Sequence, residues 1–164
     1  MAASQRSREL RLPTKIVSVR LAIVGSLPTN AEMFISDVPR RGRGHLLDDL
    51  AALVCGEANF LPMRSSGRVR LLGKQAISWI AVRKQDPDEP PEELTLYDRQ
   101  HLVEIELAQA TKLVGTLLDS SHADRPRVID HLNRAGRFLR LWTASEHYFI
   151  NTNQVVAVTE LEAK

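Results

Sequence analysis

Val103-Glu104-Ile105-Glu106-Leu107-Ala108, Val128-Ile129-Asp130-His131-Leu132, Arg137-Phe138-Leu139-Arg140-Leu141 and Ile150-Asn151-Thr152-Asn153-Gln154-Val155-Val156-Ala157-Val158 follow one another in the second half of the chain. The first half carries four blocks of the same kind in the same order. They are Val17-Ser18-Val19-Arg20-Leu21-Ala22, Leu46-Leu47-Asp48-Asp49-Leu50, Asn59-Phe60-Leu61-Pro62-Met63 and Leu72-Gly73-Lys74-Gln75-Ala76-Ile77-Ser78-Trp79-Ile80. Self-similarity at one spacing implies two copies of one small unit. It speaks to architecture and says little about chemistry.

The blocks read as secondary structure of one kind. Residues 15–24 alternate apolar and polar side chains, the period of a strand. A turn over 25–30 with Pro28 leads to a second strand over 32–36. Leu46, Leu47, Leu50, Leu53 and Val54 have the spacing of a short amphipathic helix within 45–54. Residues 60–63 and 68–72 form a hairpin pair, and 76–82 a closing strand. The second half repeats this as strands 102–108 and 112–118, a helix at 127–134, and strands 137–142, 147–151 and 154–160. Between the halves, Pro87, Pro90 and Pro91 stand in an acidic run that cannot join a sheet or a helix interior.

The expected fold is therefore mainly β (α+β): two tandem small β-barrel or bent-sheet units, each with one short helix, related by internal duplication. The expected organisation is a disordered basic tail over 1–14, a first β-rich repeat over 15–83, an acidic Pro-rich linker over 84–100 and a second repeat over 101–161. Units this small bury a marginal core alone, which favours packing them together or oligomerising.

Composition narrows the class. Charged residues at 26% and hydrophobic ones at 43% are ordinary for a globular protein. No apolar run reaches the roughly 18 residues that span a bilayer. Arg6, Arg8 and Arg11 are not followed by the apolar core of a secretory signal. Cys55 is the only cysteine; it is expected as a small buried apolar residue, and it fits a reducing, cytoplasmic setting. The net charge of +2 hides an asymmetry: residues 1–84 hold fourteen Lys/Arg against six Asp/Glu, residues 85–164 eight against fourteen. Such a contrast suits an anion-binding half, contact between the halves, or head-to-tail contact between molecules.

The second unit resembles a bacterial domain family of unknown function. The resemblance is carried by Arg127, Asp130, Leu132, Asn133, Phe138, Leu139, Asn151 and Val155. The first unit keeps Leu47, Asp48, Leu50, Phe60, Leu61 and Ile77, but lacks the first asparagine and has Gly73 in place of Asn151. The resemblance implies no activity. A glycine replaces an asparagine acceptably where both serve a left-handed turn, so the motif residues Arg127, Asp130, Leu132, Asn133, Phe138 and Asn151 read as structural. Asp130 is expected to cap or pair locally, with Ile129 and Leu132 facing the core.

Candidate chemistry is sparse. Arg40, Arg41 and Arg43, interleaved with Gly42 and Gly44, form the best anion-binding candidate, because guanidinium groups grip phosphate or carboxylate bidentately. His122, Asp124, His131 and His147 match no zinc spacing. No nucleophile elbow, phosphate loop or dinucleotide fingerprint is present. Phe60, Trp79, Phe138, Trp142 and Phe149 lie in apolar strand contexts and are expected in the core, which argues against stacking on single-stranded nucleic acid. The expectation is a non-enzymatic interaction or scaffold protein without cofactor or metal, self-assembling or binding a protein partner through strand edges. The alternative is an anion or nucleic-acid binding module using Arg40, Arg41, Arg43, Arg64, Arg68 and Arg70.

Overall fold

The alternating blocks of both halves become strands of one open antiparallel sheet. The structure, a computed structural model, describes residues 14–36, 46–84, 99–119 and 127–162. In chain order the elements are β1 (Thr14–Ile23), β2 (Thr29–Ser36), α1 (Leu46–Cys55), β3 (Phe60–Ser65), β4 (Arg68–Gly73), a 3-10 turn (Lys74–Ala76) and β5 (Ile77–Arg83). Then follow β6 (Arg99–Leu107), β7 (Lys112–Asp119), α2 (Val128–Arg134), β8 (Phe138–Trp142), β9 (Glu146–Asn151), a second 3-10 turn (Thr152–Gln154) and β10 (Val155–Glu160). The strand order is β10-β6-β7-β8-β9-β5-β1-β2-β3-β4. Separate barrels or bent sheets are thus replaced by one continuous sheet, because β5 of the first half pairs antiparallel with β9 of the second.

The two halves follow one pairing pattern. β3 and β4 pair Phe60 with Gly73 and Leu61 with Leu72; β8 and β9 pair Phe138 with Asn151 and Leu139 with Ile150. β2 and β3 pair only at Glu32–Arg64 and Met33–Met63; β7 and β8 pair only at Thr116–Trp142 and Leu117–Leu141. The β1–β5 register shifts between Ala22 and Ile23, and the β6–β10 register shifts between Val155 and Ala157, the same place in each half. Lys74 N donates to Asn59 O, and Thr152 N to Arg137 O, each at 2.9 Å. By this register Val19, not Val17, stands where Val103 stands. A slip of two residues keeps every side chain on its own face, so the sequence pattern does not detect it.

Two apolar clusters lie on either side of the β5–β9 wall. Val17, Val19 and Leu21 of β1, Ala31, Met33 and Ile35 of β2, Leu61 and Met63 of β3, and Leu50 and Val54 of α1 form the first. Val103, Ile105 and Leu107 of β6, Leu117 of β7, Leu139 and Leu141 of β8, and Val128 of α2 form the second. The wall strands feed both: Ile80 and Val82 of β5 and Phe149 of β9 enter the first cluster, whereas Trp79, Ala81, Tyr148 and Ile150 enter the second. Period-two alternation with a cluster on each face explains why Ile77–Val82 of β5 and His147–Asn151 of β9 are buried at every position.

Local details depart from the sequence expectations. β2 begins at Thr29, because Thr29 and Asn30 already pair with Leu21 and Arg20. Ser66 and Gly67 both take positive φ (50° and 74°), which makes the β3–β4 hairpin a two-residue turn of the type that matches strand twist. Cys55 is exposed at the end of α1 rather than buried. In α2 the buried residue is Val128, while Ile129 is 55% exposed, so Val128 rather than Ile129 joins Leu132 on the core face. The tail, the Arg40–Gly44 loop and most of the acidic linker lie outside the described residues.

Gly115 sits where β7 passes β8, and a Cβ there would stand 2.3 Å from the carbonyl oxygen of Trp142. Backbone cannot yield as a side chain can, so Gly115→Ala should separate the two-pair β7–β8 contact. The expected cost is about 2–3 kcal/mol, the range of forced overpacking. Differential scanning calorimetry should register a fall of roughly 5–10 °C in Tm. An unchanged Tm would mean that β8 is free to move away.

Candidate functional site

Among the described residues the sheet ends in two open edges, β4 and β10, and its middle holds the junction that shows how such edges can be closed. At the junction Asn151 is fully buried, and its amide Nδ2 donates to Ile77 O (2.9 Å) and Lys74 O (3.3 Å) of the first half. Its Oδ1 accepts from Asn153 N at 3.0 Å. The side chain is thus satisfied on both ends and clamps the halves together. Asn151 and Gly73 both have φ near −65°, ordinary extended backbone. The expectation that they serve a left-handed turn is therefore corrected: the asparagine is used for its amide, which glycine lacks.

Lys74 is fully buried, and nothing in the sequence marks it as such. Its Nζ donates to Gly56 O (2.7 Å) and Leu53 O (3.1 Å), closing the carbonyl end of α1, a helix with no basic residue in its own last turn. Desolvation lowers its pKa, and the charge of Arg137 adds to that. His147 is also fully buried: Arg140 Nε donates to its Nε2 at 3.2 Å, and Trp142 packs edge-on at 4.2 Å. Burial, then the charges of Arg140 and Lys84, bring its pKa down to about 3, so the ring is neutral at physiological pH.

One outer face of the junction carries a polar network. Arg20 donates to Glu146 (2.6 Å) and to the Tyr148 hydroxyl (2.9 Å), and that hydroxyl donates to Glu146 (2.7 Å). Burial and the Glu146 hydrogen bond push the Tyr148 pKa up to about 12. Trp79 meets Tyr148 edge-on at 5.4 Å, with Arg20 over the Trp79 ring. Arg20 and Glu146 border an open groove of about 780 Å³ that also includes Glu32, Arg64 and Arg83. Arg64 is ion-paired to Glu32, so most of the groove's charge is neutralised within the protein.

The edges are different. β4 leaves Val69 (63%) and Leu71 (70%) exposed between exposed Arg68 and Arg70, and Phe60 beside it is 58% exposed. Phe60 is therefore not a core residue, in contrast to Trp79, Phe138, Trp142 and Phe149, which are. β10 leaves Val156 exposed at 64%, with Glu160 and Glu162 at its end. Alternating Arg and large apolar residues in Arg68-Val69-Arg70-Leu71 was a visible signal for an edge strand.

The motif residues of the second half do not converge on a ligand. Arg127 N donates to the Asp130 carboxylate at 3.4 Å, which pairs Asp130 locally at the start of α2. Asn133 is exposed, Leu132 packs on the second cluster, Phe138 enters the first, and Asn151 clamps the junction. Arg40, Arg41, Arg43, His122 and Asp124 lie outside the described residues. Among the described residues no group of three His, Cys, Asp or Glu stands together to hold a metal, and no helix is long and apolar enough to cross a membrane. Comparison with protein-family models, curated proteins and solved structures finds no match.

Proposed function

We propose that this chain is a non-enzymatic interaction protein of the cytoplasm, built by duplication of one β-rich unit, that engages its partner by strand addition at an open sheet edge. The observation that carries the reading is the row made by Val69 and Leu71 of β4 with Phe60 of β3, which pairs with Gly73 at the end of β4; each of the three large apolar side chains is more than half exposed. Unpaired backbone beside an apolar row is a template for another strand. The shared pairing pattern of the two halves supports the duplication, as does the family resemblance of the second. No cofactor or metal is needed for this role.

The alternative, an anion or nucleic-acid binding module, is favoured by exposed Arg68 and Arg70. It has less support, because Arg64 is engaged by Glu32 and four of the five candidate stacking aromatics are buried.

Size-exclusion chromatography of fresh cell extract tests the first reading. The chain should elute well above 18.4 kDa. The pair Val69→Lys with Leu71→Lys should return it to the monomer position, while Asp48→Lys on α1 should not. A monomeric wild type, or a complex insensitive to the edge pair, would overturn strand addition. A complex whose 260 nm absorbance falls away in high salt would favour the alternative.

A further inference from the structure

The β5–β9 junction has a counterpart that is left open. β9 corresponds in register to β4, and β5 to β10. Within the chain, β9 of the second half closes β5 of the first. At the two ends of the sheet the corresponding pair, β4 and β10, stand unpaired on their outer sides among the described residues.

Burial follows this correspondence residue by residue. Phe138 and Phe149 of the second half are inserted into the first cluster at 5% and 0% exposure. Their counterparts in the first half are Phe60 and Leu71, exposed at 58% and 70%. His147 is fully buried; its counterpart Val69 is 63% exposed. On the opposite side, Ser78 and Trp79 of β5 are buried, whereas their counterparts Val156 and Ala157 of β10 are exposed. The large apolar side chains left outside along β4 are thus those whose counterparts plug a neighbouring core.

Charge follows it too, with the signs exchanged. Across the internal junction Arg20 meets Glu146 and Tyr148. The counterpart of Arg20 is Glu104, and those of Glu146 and Tyr148 are Arg68 and Arg70. Glu104 touches Lys112 at 2.8 Å in an exposed pair, which leaves its carboxylate open to a further partner. Glu160 adds a second negative charge at the β10 edge.

We infer that β4 of one copy pairs antiparallel with β10 of a second copy, repeating the β5–β9 junction between molecules and generating a head-to-tail assembly. In that register Leu71 lies opposite Val158 of the neighbour, as Phe149 lies opposite Ile80. Phe60 and Leu71 cover the neighbour's second cluster, and Arg68 and Arg70 meet its Glu104. Such a heterologous contact closes into a ring if the rotation per copy permits and extends as a filament otherwise. The contact lacks one element of its template: Gly73 stands where Asn151 provides the amide clamp. This makes the contact between copies weaker than the one within the chain.

The inference rests on the strand-addition reading and names its partner, so purified full-length protein is the material for the test. Light scattering should give a mass several times 18.4 kDa that falls as the protein is diluted. Leu71→Lys should raise the concentration at half-assembly by about tenfold or more, the effect of losing one anchored side chain. Because Leu71 is exposed in the single chain, its Tm at high dilution should not change. Gly73→Asn should lower the half-assembly concentration by about tenfold, since its amide would reach the neighbour's Thr152 and Val155 carbonyls. A Cβ at Gly73 meets nothing closer than 3.7 Å, so the variant folds.

In a Cys55→Ser background, Leu71→Cys and Val158→Cys mixed and oxidised should give disulfide-linked heterodimers only, because paired antiparallel positions lie about 4.5–5.5 Å apart. Glu104→Arg should disrupt assembly and be rescued by Arg68→Glu with Arg70→Glu. Monomeric purified protein at all concentrations, or Leu71→Cys homodimers in place of heterodimers, would overturn self-pairing. If extract nevertheless shows an edge-dependent complex, strand addition stands and its partner is another protein.

Discussion

Asn151→Leu should lower the free energy of unfolding by about 3–5 kcal/mol, measured by urea denaturation of the purified chain. The substitution removes two donated hydrogen bonds and one accepted one from a fully buried position. Each buried partner left unpaired costs on the order of 1–3 kcal/mol, far more than the net gain from an ordinary hydrogen bond. Lys74 O keeps the bond it accepts from Ile77 N, so the loss falls on Ile77 O, which gives up the shorter of the two amide bonds, and on Asn153 N, which loses its cap. The loss is not local to one half, because the amide bridges the 3-10 turn before β5 to the end of β9. Hydrogen exchange should therefore show faster opening of Ile77–Arg83 amides than of β1–β2 amides. A loss below about 1 kcal/mol would mean that β5 and β9 are held by their side-chain packing alone.

Acid should weaken the fold steeply through His147. Its pKa falls from the ordinary 6.5 to about 3 in the folded protein. The unfolded chain then binds a proton below pH 6.5 that the folded one refuses until about pH 3. Stability from this group is complete above 6.5, is lost as pH falls through that window, and levels off below about 3. The loss amounts to about 2 kcal/mol between pH 7 and pH 5 and approaches about 5 kcal/mol near pH 3. The cause is physical crowding of charge: a protonated ring would face the Arg140 guanidinium and the Lys84 ammonium inside an aromatic cage. His147→Gln keeps an acceptor for Arg140 and has no proton to gain. Urea midpoints from pH 7.5 to 4 should fall for the wild type and fall less for the variant by that amount. Parallel curves would assign the acid sensitivity to other groups.

Both predictions concern residues that hold β5 to β9, and this junction was the part of the fold least legible beforehand. Strand positions followed from alternation in segments such as Thr14–Ile23 and Arg99–Leu107. The helices followed from 3.6-residue spacing, although α2 presents Val128 in place of Ile129. Which strand lies beside which is a non-local choice. Residues 76–82 and 147–151 read as strands, but nothing in either names its partner or shows that both of its faces are buried. The structural work of Lys74 and His147 was hidden for the same reason. A lysine or histidine is polar by composition, and only the carbonyls of α1 and the Arg140–Trp142 cage make burial tolerable.

The sequence by itself determined the strands, the repeated order of blocks, the charge contrast between halves and the lack of a recognised catalytic motif, because these depend on local pattern and residue type. Tertiary structure decided the single sheet, the two clusters and the open edges. Phe60 and Phe138 mark the division. Each begins the third strand of its half and pairs with the last residue of the fourth, Gly73 or Asn151. One is 58% exposed and the other 5%. Their local sequences do not make that difference; what stands across the fourth strand does. β5 covers β9, and within one chain nothing described covers β4.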